Sequence, residues 1–86
     1  MDDARFFALI NEERQRQDEK YGKRHHPLVV WLTILTEEVG ELAREILACS
    51  FPGAKCSLNA LEKEAIQIAA VAKALWEQLQ EPKKWI

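Results

Sequence analysis

Four carboxylates, Glu37, Glu38, Glu41 and Glu45, fall within "TEEVGELAREIL" at residues 36–47, directly after the apolar run "LVVWLTIL". Downstream, Glu64 and Gln67 stand three residues apart in "EKEAIQIAAVAKALWE". Carboxylate and carboxamide oxygens are hard ligands. Brought together, they suit Mg²⁺, which takes carboxylates, water and substrate phosphates, with Mn²⁺ as a substitute. Converging carboxylates also repel one another, more so when partly buried, and a divalent cation relieves that repulsion. The same residues fit a plainer reading. Glu favours helices, edge glutamates are often only solvated, and Glu41 and Arg44 are spaced as surface neighbours.

The elements that would position these groups are helices. Leu28, Trp31, Leu35, Val39, Leu42 and Ile46 form one stripe at helical spacing, with Glu38, Glu41 and Glu45 along its edge. Leu61, Ile68, Ala72, Leu75 and Leu79 form a second stripe, bordered by Glu64 and Gln67. Antiparallel packing of the two stripes brings Glu38, Glu41, Glu64 and Gln67 into one acidic cleft.

The chain reads as a single all-α domain over residues 1–86 with three main helices and no internal repeat. The first runs from Asp2 or Asp3 to about Lys20, and Gly22 stops it. Its apolar residues Phe6, Phe7, Leu9 and Ile10 occupy only its first half, so the polar second half covers something polar or is solvated. The second runs from Leu28 to Cys49 or Ser50, after Pro27. Pro52 and Gly53 mark the next turn. Asn59 and Glu62 then read as a capping box for a third helix from about Ala60 to Gln80, ended by Pro82. The tail either packs through Trp85 or frays.

With 86 residues the chain buries only a modest core. Its net charge of −2 argues against a nucleic-acid binder. No apolar run reaches the roughly 18 residues of a membrane span, and the acidic start is unlike a signal peptide, so a cytoplasmic setting is expected. Cys49 and Cys56 then read as free thiols, with pairing under oxidation across the short loop they flank as the alternative. Ile66, Ala70 and Ala74 on the third helix, with Leu32, Thr36, Ala43 and Leu47 on the second, widen the apolar surface beyond the main stripes. A homodimer completing a four-helix-bundle core follows as an expectation, with a dimer of dimers as its extension. The cleft would lie near or across the subunit interface.

"EEVGEL" at 37–42, followed by "EKEAIQIAAVAKALWE" at 62–77, resembles the MazG-like all-α NTP pyrophosphohydrolases. Their pattern is ExxE, a gap, then ExxD on two core helices. "ERQRQDEKYG" and "HHP" also resemble a segment preceding the first motif in small bacterial and phage members, so the likeness spans about Glu13 to Glu77. One departure is Gln67 where the pattern has Asp. An amide oxygen still ligates Mg²⁺ but adds no charge. The resemblance implies Mg²⁺-dependent hydrolysis of a nucleoside triphosphate, in the first place a dNTP, to the monophosphate and pyrophosphate, in nucleotide-pool house-cleaning. It implies Glu38, Glu41 and Glu64 as ligands and Gln67 as a weaker or outer partner. Glu37 is the candidate to orient or deprotonate the water, or is a solvated surface residue. The alternative function is a non-catalytic helical dimer that binds nucleotide or a protein partner, its turnover weakened by Gln67.

The first connection holds further candidates. Lys20, Lys23 and Arg24 either meet a triphosphate's charge or are solvated. Tyr21 either stacks on a base or packs at the helix end. His25 and His26 are adjacent, which suits a helix start or a phosphate contact better than a paired metal site. Trp31 and Trp76 read as packing.

Overall fold

The computed structural model describes residues 2–23, 25–51, 53 and 55–81. Arg24, Pro52, Pro82 and Trp85, all singled out by the sequence, lie outside the described residues. Three helices follow in order: α1 (Asp3–Tyr21), α2 (Leu28–Ser50) and α3 (Leu58–Leu79). No strand occurs among the described residues, and no helix is long and apolar enough to cross a membrane.

Local chemistry sets the helix ends. Asp2 caps α1, its carboxylate accepting from the Arg5 N–H at 3.1 Å. Gly22 closes α1 at φ 76°, a left-handed conformation that favours glycine, and its N–H donates to the Asp18 carbonyl. Pro27 precedes α2 and supplies the carbonyl for its first turn. The start of α3 differs from expectation. Ser57 is the N-cap, its hydroxyl accepting from the Ala60 N–H, and Asn59 is already helical. "SLNALE" contains two good capping residues, and Ser57 in extended backbone captures the earlier start.

Helix α3 is the centre of the fold. It packs against α2 on one side and α1 on the other, while α1 and α2 make no close backbone approach to each other. Partner residues show the directions. Trp31 meets Gln78, and Glu38 lies beside Glu64, so α2 and α3 are antiparallel. Asn11 meets Lys73 and Arg14 meets Glu77, so α1 and α3 run parallel.

The core is thin, as the chain length implies. Ile10, Trp31, Ala70 and Val71 are its buried apolar residues. Ala70 has no exposed surface at all, so this part of the second apolar face of α3 is covered within the chain. A small side chain there permits close helix approach. The expectation that this face requires a second subunit is thus corrected for Ala70. Trp76 is corrected too, for it lies 59% exposed on the outer side of α3.

The cysteines also depart from expectation. Cys49 and Cys56 are joined in a disulfide. The α2–α3 turn brings their Cα atoms to 4.4 Å, within bonding reach, and no described cysteine is free.

Candidate metal centre

Two turns of facing helix build the acidic cluster. Glu38 and Glu41 are one turn apart on α2, as Glu64 and Gln67 are on α3, and antiparallel packing turns each pair towards the other. One carboxylate oxygen from each of Glu38, Glu41 and Glu64 lies within 4.8 Å of the other two, at intermediate burial. In an octahedral Mg²⁺ site with bonds of 2.0–2.1 Å, adjacent ligands stand about 2.9 Å apart and opposite ones about 4.1 Å. The donor set suits a hard divalent ion, and the three side chains would draw closer to hold it. Glu45, the next carboxylate along the predicted row, is not part of this group.

The electrostatics carry the mark of crowding. Burial, followed by hydrogen bonding to and charge repulsion from Glu41 and Glu38, pushes the Glu64 carboxyl up to about 7. Glu38 is raised as well, by burial first and the charge of Glu41 second, with its hydrogen bond to Glu64 opposing. Gln67 moderates the repulsion. With its carboxamide oriented to satisfy its surroundings, the nitrogen donates to Glu38 Oε2 at 3.2 Å and to Glu64 Oε2 at 3.1 Å. A neutral donor thus bridges two of the three carboxylates.

Beside the cluster is a cavity of about 360 Å³ between all three helices, reaching from Glu37 and Glu38 to the α1–α2 connection. Trp31, Ile34, Val71 and Ala74 give it an apolar floor, and Arg14 and Gln17 bring the polar half of α1 to its wall. That half of α1 therefore faces a polar cavity. Arg14 holds it in place, donating through Nη2 to Glu77 Oε1 at 2.8 Å and through Nη1 to Asp18 Oδ1 at 3.2 Å. Burial alone would raise the Glu77 carboxyl. Hydrogen bonding to and the charge of Arg14, helped by Lys73, hold it below the ordinary range.

The residues expected from sequence divide among these places. Glu38, Glu41 and Glu64 converge, and Gln67 touches two of them. Glu37 is exposed and borders the cavity beside Glu38. Tyr21 and Lys23 line the cavity, and Lys23 lies 3.9 Å from Glu81. Lys20 is exposed and lies over the Tyr21 ring, 5.0 Å from its centroid, and is not among the residues lining the cavity. His25 pairs with Glu81 through Nε2 at 3.2 Å.

Sequence reasoning missed Glu13, Arg14, Gln17, Glu77, Gln78 and Glu81. The charge of Glu13 reaches Glu38 from α1, and its side chain is held by Arg16 and Gln17. The only signal for Glu13, Arg14 and Gln17 was the polar second half of α1. No protein-family model, curated protein or solved structure matches the chain.

Proposed function

We propose that this protein is a Mg²⁺-dependent nucleotide pyrophosphohydrolase of the MazG-like kind, converting a nucleoside triphosphate, in the first place a dNTP, to its monophosphate and pyrophosphate in nucleotide-pool house-cleaning. The observation that carries this reading is the convergence of Glu38, Glu41 and Glu64 beside a cavity of about 360 Å³. Magnesium, when bound, neutralises phosphate oxygens and lowers the pKa of water. Glu38, Glu41 and Glu64 would hold the ion, with Gln67 as a weaker or outer partner through its amide oxygen. Mn²⁺ takes the same donors. Glu37 stands at the cavity edge, where a carboxylate can accept the proton of an attacking water. The new bond joins that water's oxygen to the α-phosphorus. The bond that breaks is the one to the bridging oxygen, and pyrophosphate leaves. Tyr21 and Lys23, at the α1–α2 connection, line the end of the cavity that would receive the nucleoside. Lys20 and Arg24 add positive charge near the connection.

Assembly belongs to the same proposal. Leu32, Val39 and Leu47 on α2, with Trp76 on α3, each expose more than half of their surface. Apolar exposure of this extent on a small chain favours a covered face. A second copy covers it, completing a four-helix core, with a dimer of dimers as the higher form.

The test is pyrophosphate release across a panel of NTPs and dNTPs with Mg²⁺ and with chelator. Release that depends on the metal and is abolished by Glu38→Gln supports the reading. Release that survives Glu38→Gln, or none with any nucleotide, overturns it. The second reading is a non-catalytic helical dimer that binds nucleotide or a protein partner. The neutral Gln67 bridge favours it, since that residue lowers the negative charge offered to a cation. Nucleotide- and Mg²⁺-dependent thermal stabilisation without turnover would single it out.

A further inference from the structure

Gln78 is the buried polar side chain of the described core, only 4% exposed near the C-terminal end of α3. Its Oε1 accepts from the His26 N–H at 2.9 Å and from Trp31 Nε1 at 2.9 Å. Its Nε2 donates to the His26 carbonyl at 2.8 Å. One carboxamide thus pairs with both backbone groups of residue 26 and with an indole on the next helix. At neutral pH an exposed carboxyl is ionised and only accepts, whereas the carboxamide of Gln or Asn offers a donor and an acceptor side by side without charge, and Asn is one methylene shorter. The His26 ring completes the arrangement edge-on to Trp31, with centroids 5.0 Å apart.

This clasp has consequences for the cavity. His26 immediately precedes Pro27, the cap of α2, so fixing it fixes the end of the α1–α2 connection. Lys23 and His25 both reach Glu81, three residues beyond Gln78 on the chain. Trp31, His26, Lys23 and His25 all line the cavity. Gln78 is 14 residues from Glu64 in the sequence, about 21 Å along a helix, so it does not touch an ion held by the carboxylates.

We propose that Gln78 is a positioning residue for ligand binding: it sets the nucleoside end of the cavity by clasping His26 and Trp31, and leaves the carboxylate end untouched. The proposal rests on the nucleotide reading above for the identity of the ligand. It assigns Gln78 to KM and not to kcat.

The experiment compares the full chain with Gln78→Met and Gln78→Glu. Met keeps the shape and removes all three hydrogen bonds. Glu, when protonated, keeps both the acceptor and a donor, and when ionised keeps only acceptors. In Gln78→Met the Trp31 indole N–H resonance moves upfield and exchanges faster, and the Tyr21 and Lys23 amides shift. KM for dNTP rises at least fivefold while kcat stays within twofold, and binding of Mn²⁺ alone is unchanged. In Gln78→Glu, KM is close to the parent's at low pH and rises as the new carboxyl ionises, a profile the parent lacks. An unchanged KM despite loss of the indole signature overturns the proposal. So does a fall in kcat or in Mn²⁺ affinity alongside the KM change, which marks a general structural role. Absence of any nucleotide binding or turnover by the parent sinks the nucleotide reading. In that case the amide shifts of Tyr21 and Lys23 still decide the clasp, and their constancy in Gln78→Met overturns it.

Discussion

The Gln67 carboxamide nitrogen lies 3.1 Å from Glu64 Oε2, so the neutral member of the acidic cleft acts as a hydrogen-bond donor to its charged neighbour. It reaches Glu38 Oε2 as well, at 3.2 Å. In the metal-free protein this donor stands where a cation would otherwise be needed. Gln67→Asp removes the donor and adds a carboxylate. The metal-free variant should lose about 1–2 kcal/mol of stability at pH 8. Mg²⁺ should bind it more tightly than it binds the parent. Calorimetric titration with Mg²⁺, paired with urea unfolding in chelator, checks both. Equal or weaker Mg²⁺ binding would place residue 67 outside the metal centre.

Glu64→Gln should have the opposite signature. The carboxyl of Glu64 is pushed up to about 7 by burial and by its neighbours, so at pH 8 the fold carries a charge it resists. Removing that charge should stabilise the metal-free protein by about 1 kcal/mol, roughly 4–8 °C in melting temperature for a domain this size. The stabilisation by Mg²⁺ seen in the parent should disappear. A variant that melts lower in chelator, or that keeps the full response to Mg²⁺, contradicts the assignment.

The pH dependence follows with its sign. Glu64 has a folded pKa of about 7 against an ordinary value of 4.5. Its contribution is fully present below 4.5 and is lost as pH rises through about 7, because the folded state binds the proton more tightly. Glu38 is raised and acts in the same direction. Glu77 is lowered, so its contribution is present above its ordinary value and is lost as pH falls through its depressed one. Metal-free stability should therefore peak in the mildly acidic range and decline towards pH 8. Urea midpoints from pH 4 to 8 test this. A flat profile from pH 5 to 8 in chelator, or a decline that persists unchanged in Glu64→Gln, would show that the cluster is not its source.

Parts of this arrangement were legible in the sequence for a simple reason. Glu38 and Glu41 share a helix edge because 3.6 residues make a turn, and the same holds for Glu64 and Gln67. Two edges bordering apolar stripes on helices joined by a short turn can meet when the helices pack antiparallel, and α2 and α3 do. Contacts set by tertiary packing were not legible. Arg14 and Glu77 lie 63 residues apart and meet because α1 runs beside α3, which no local pattern specifies. Gln78 looks like any polar residue late in a helix until Trp31 and His26 close over it. Cys49 and Cys56 were read through the expected compartment, whereas the short turn that brings them together was the better guide. Ala70 looked like spare apolar surface because burial set by tertiary packing leaves no local mark.

The disulfide closes a short loop at the end of the α2–α3 hairpin, with Cys49 and Cys56 separated by seven positions. By loop closure alone a link of this size restricts the unfolded chain enough to contribute roughly 2–3 kcal/mol. Reduction, or Cys49→Ser with Cys56→Ser, should lower the melting temperature by about 10–20 °C. The helices themselves should persist in the cold, because Ser57 caps α3 independently of the bond. Melting curves with and without dithiothreitol measure this. Identical curves for the fully oxidised and fully reduced protein contradict it.

Arg14 offers the sharpest test of how α1 is held. Its side chain is 12% exposed and pairs with Glu77, whose carboxyl it keeps below the ordinary range. Arg14→Met removes the guanidinium and leaves Glu77 partly buried without its closest cation, though Lys73 Nζ remains 3.6 Å away. A loss of about 1–3 kcal/mol is expected, most of it from the carboxylate left behind. Glu77→Met alone should have a comparable effect, through the unpaired guanidinium. If the pair is coupled, the double variant should lose less than the two single losses combined, by 0.5 kcal/mol or more on the general scale of contacting residues. Additive losses would mean that Arg14 and Glu77 act separately, leaving α1 held by the burial of apolar residues such as Ile10 and not by this ion pair.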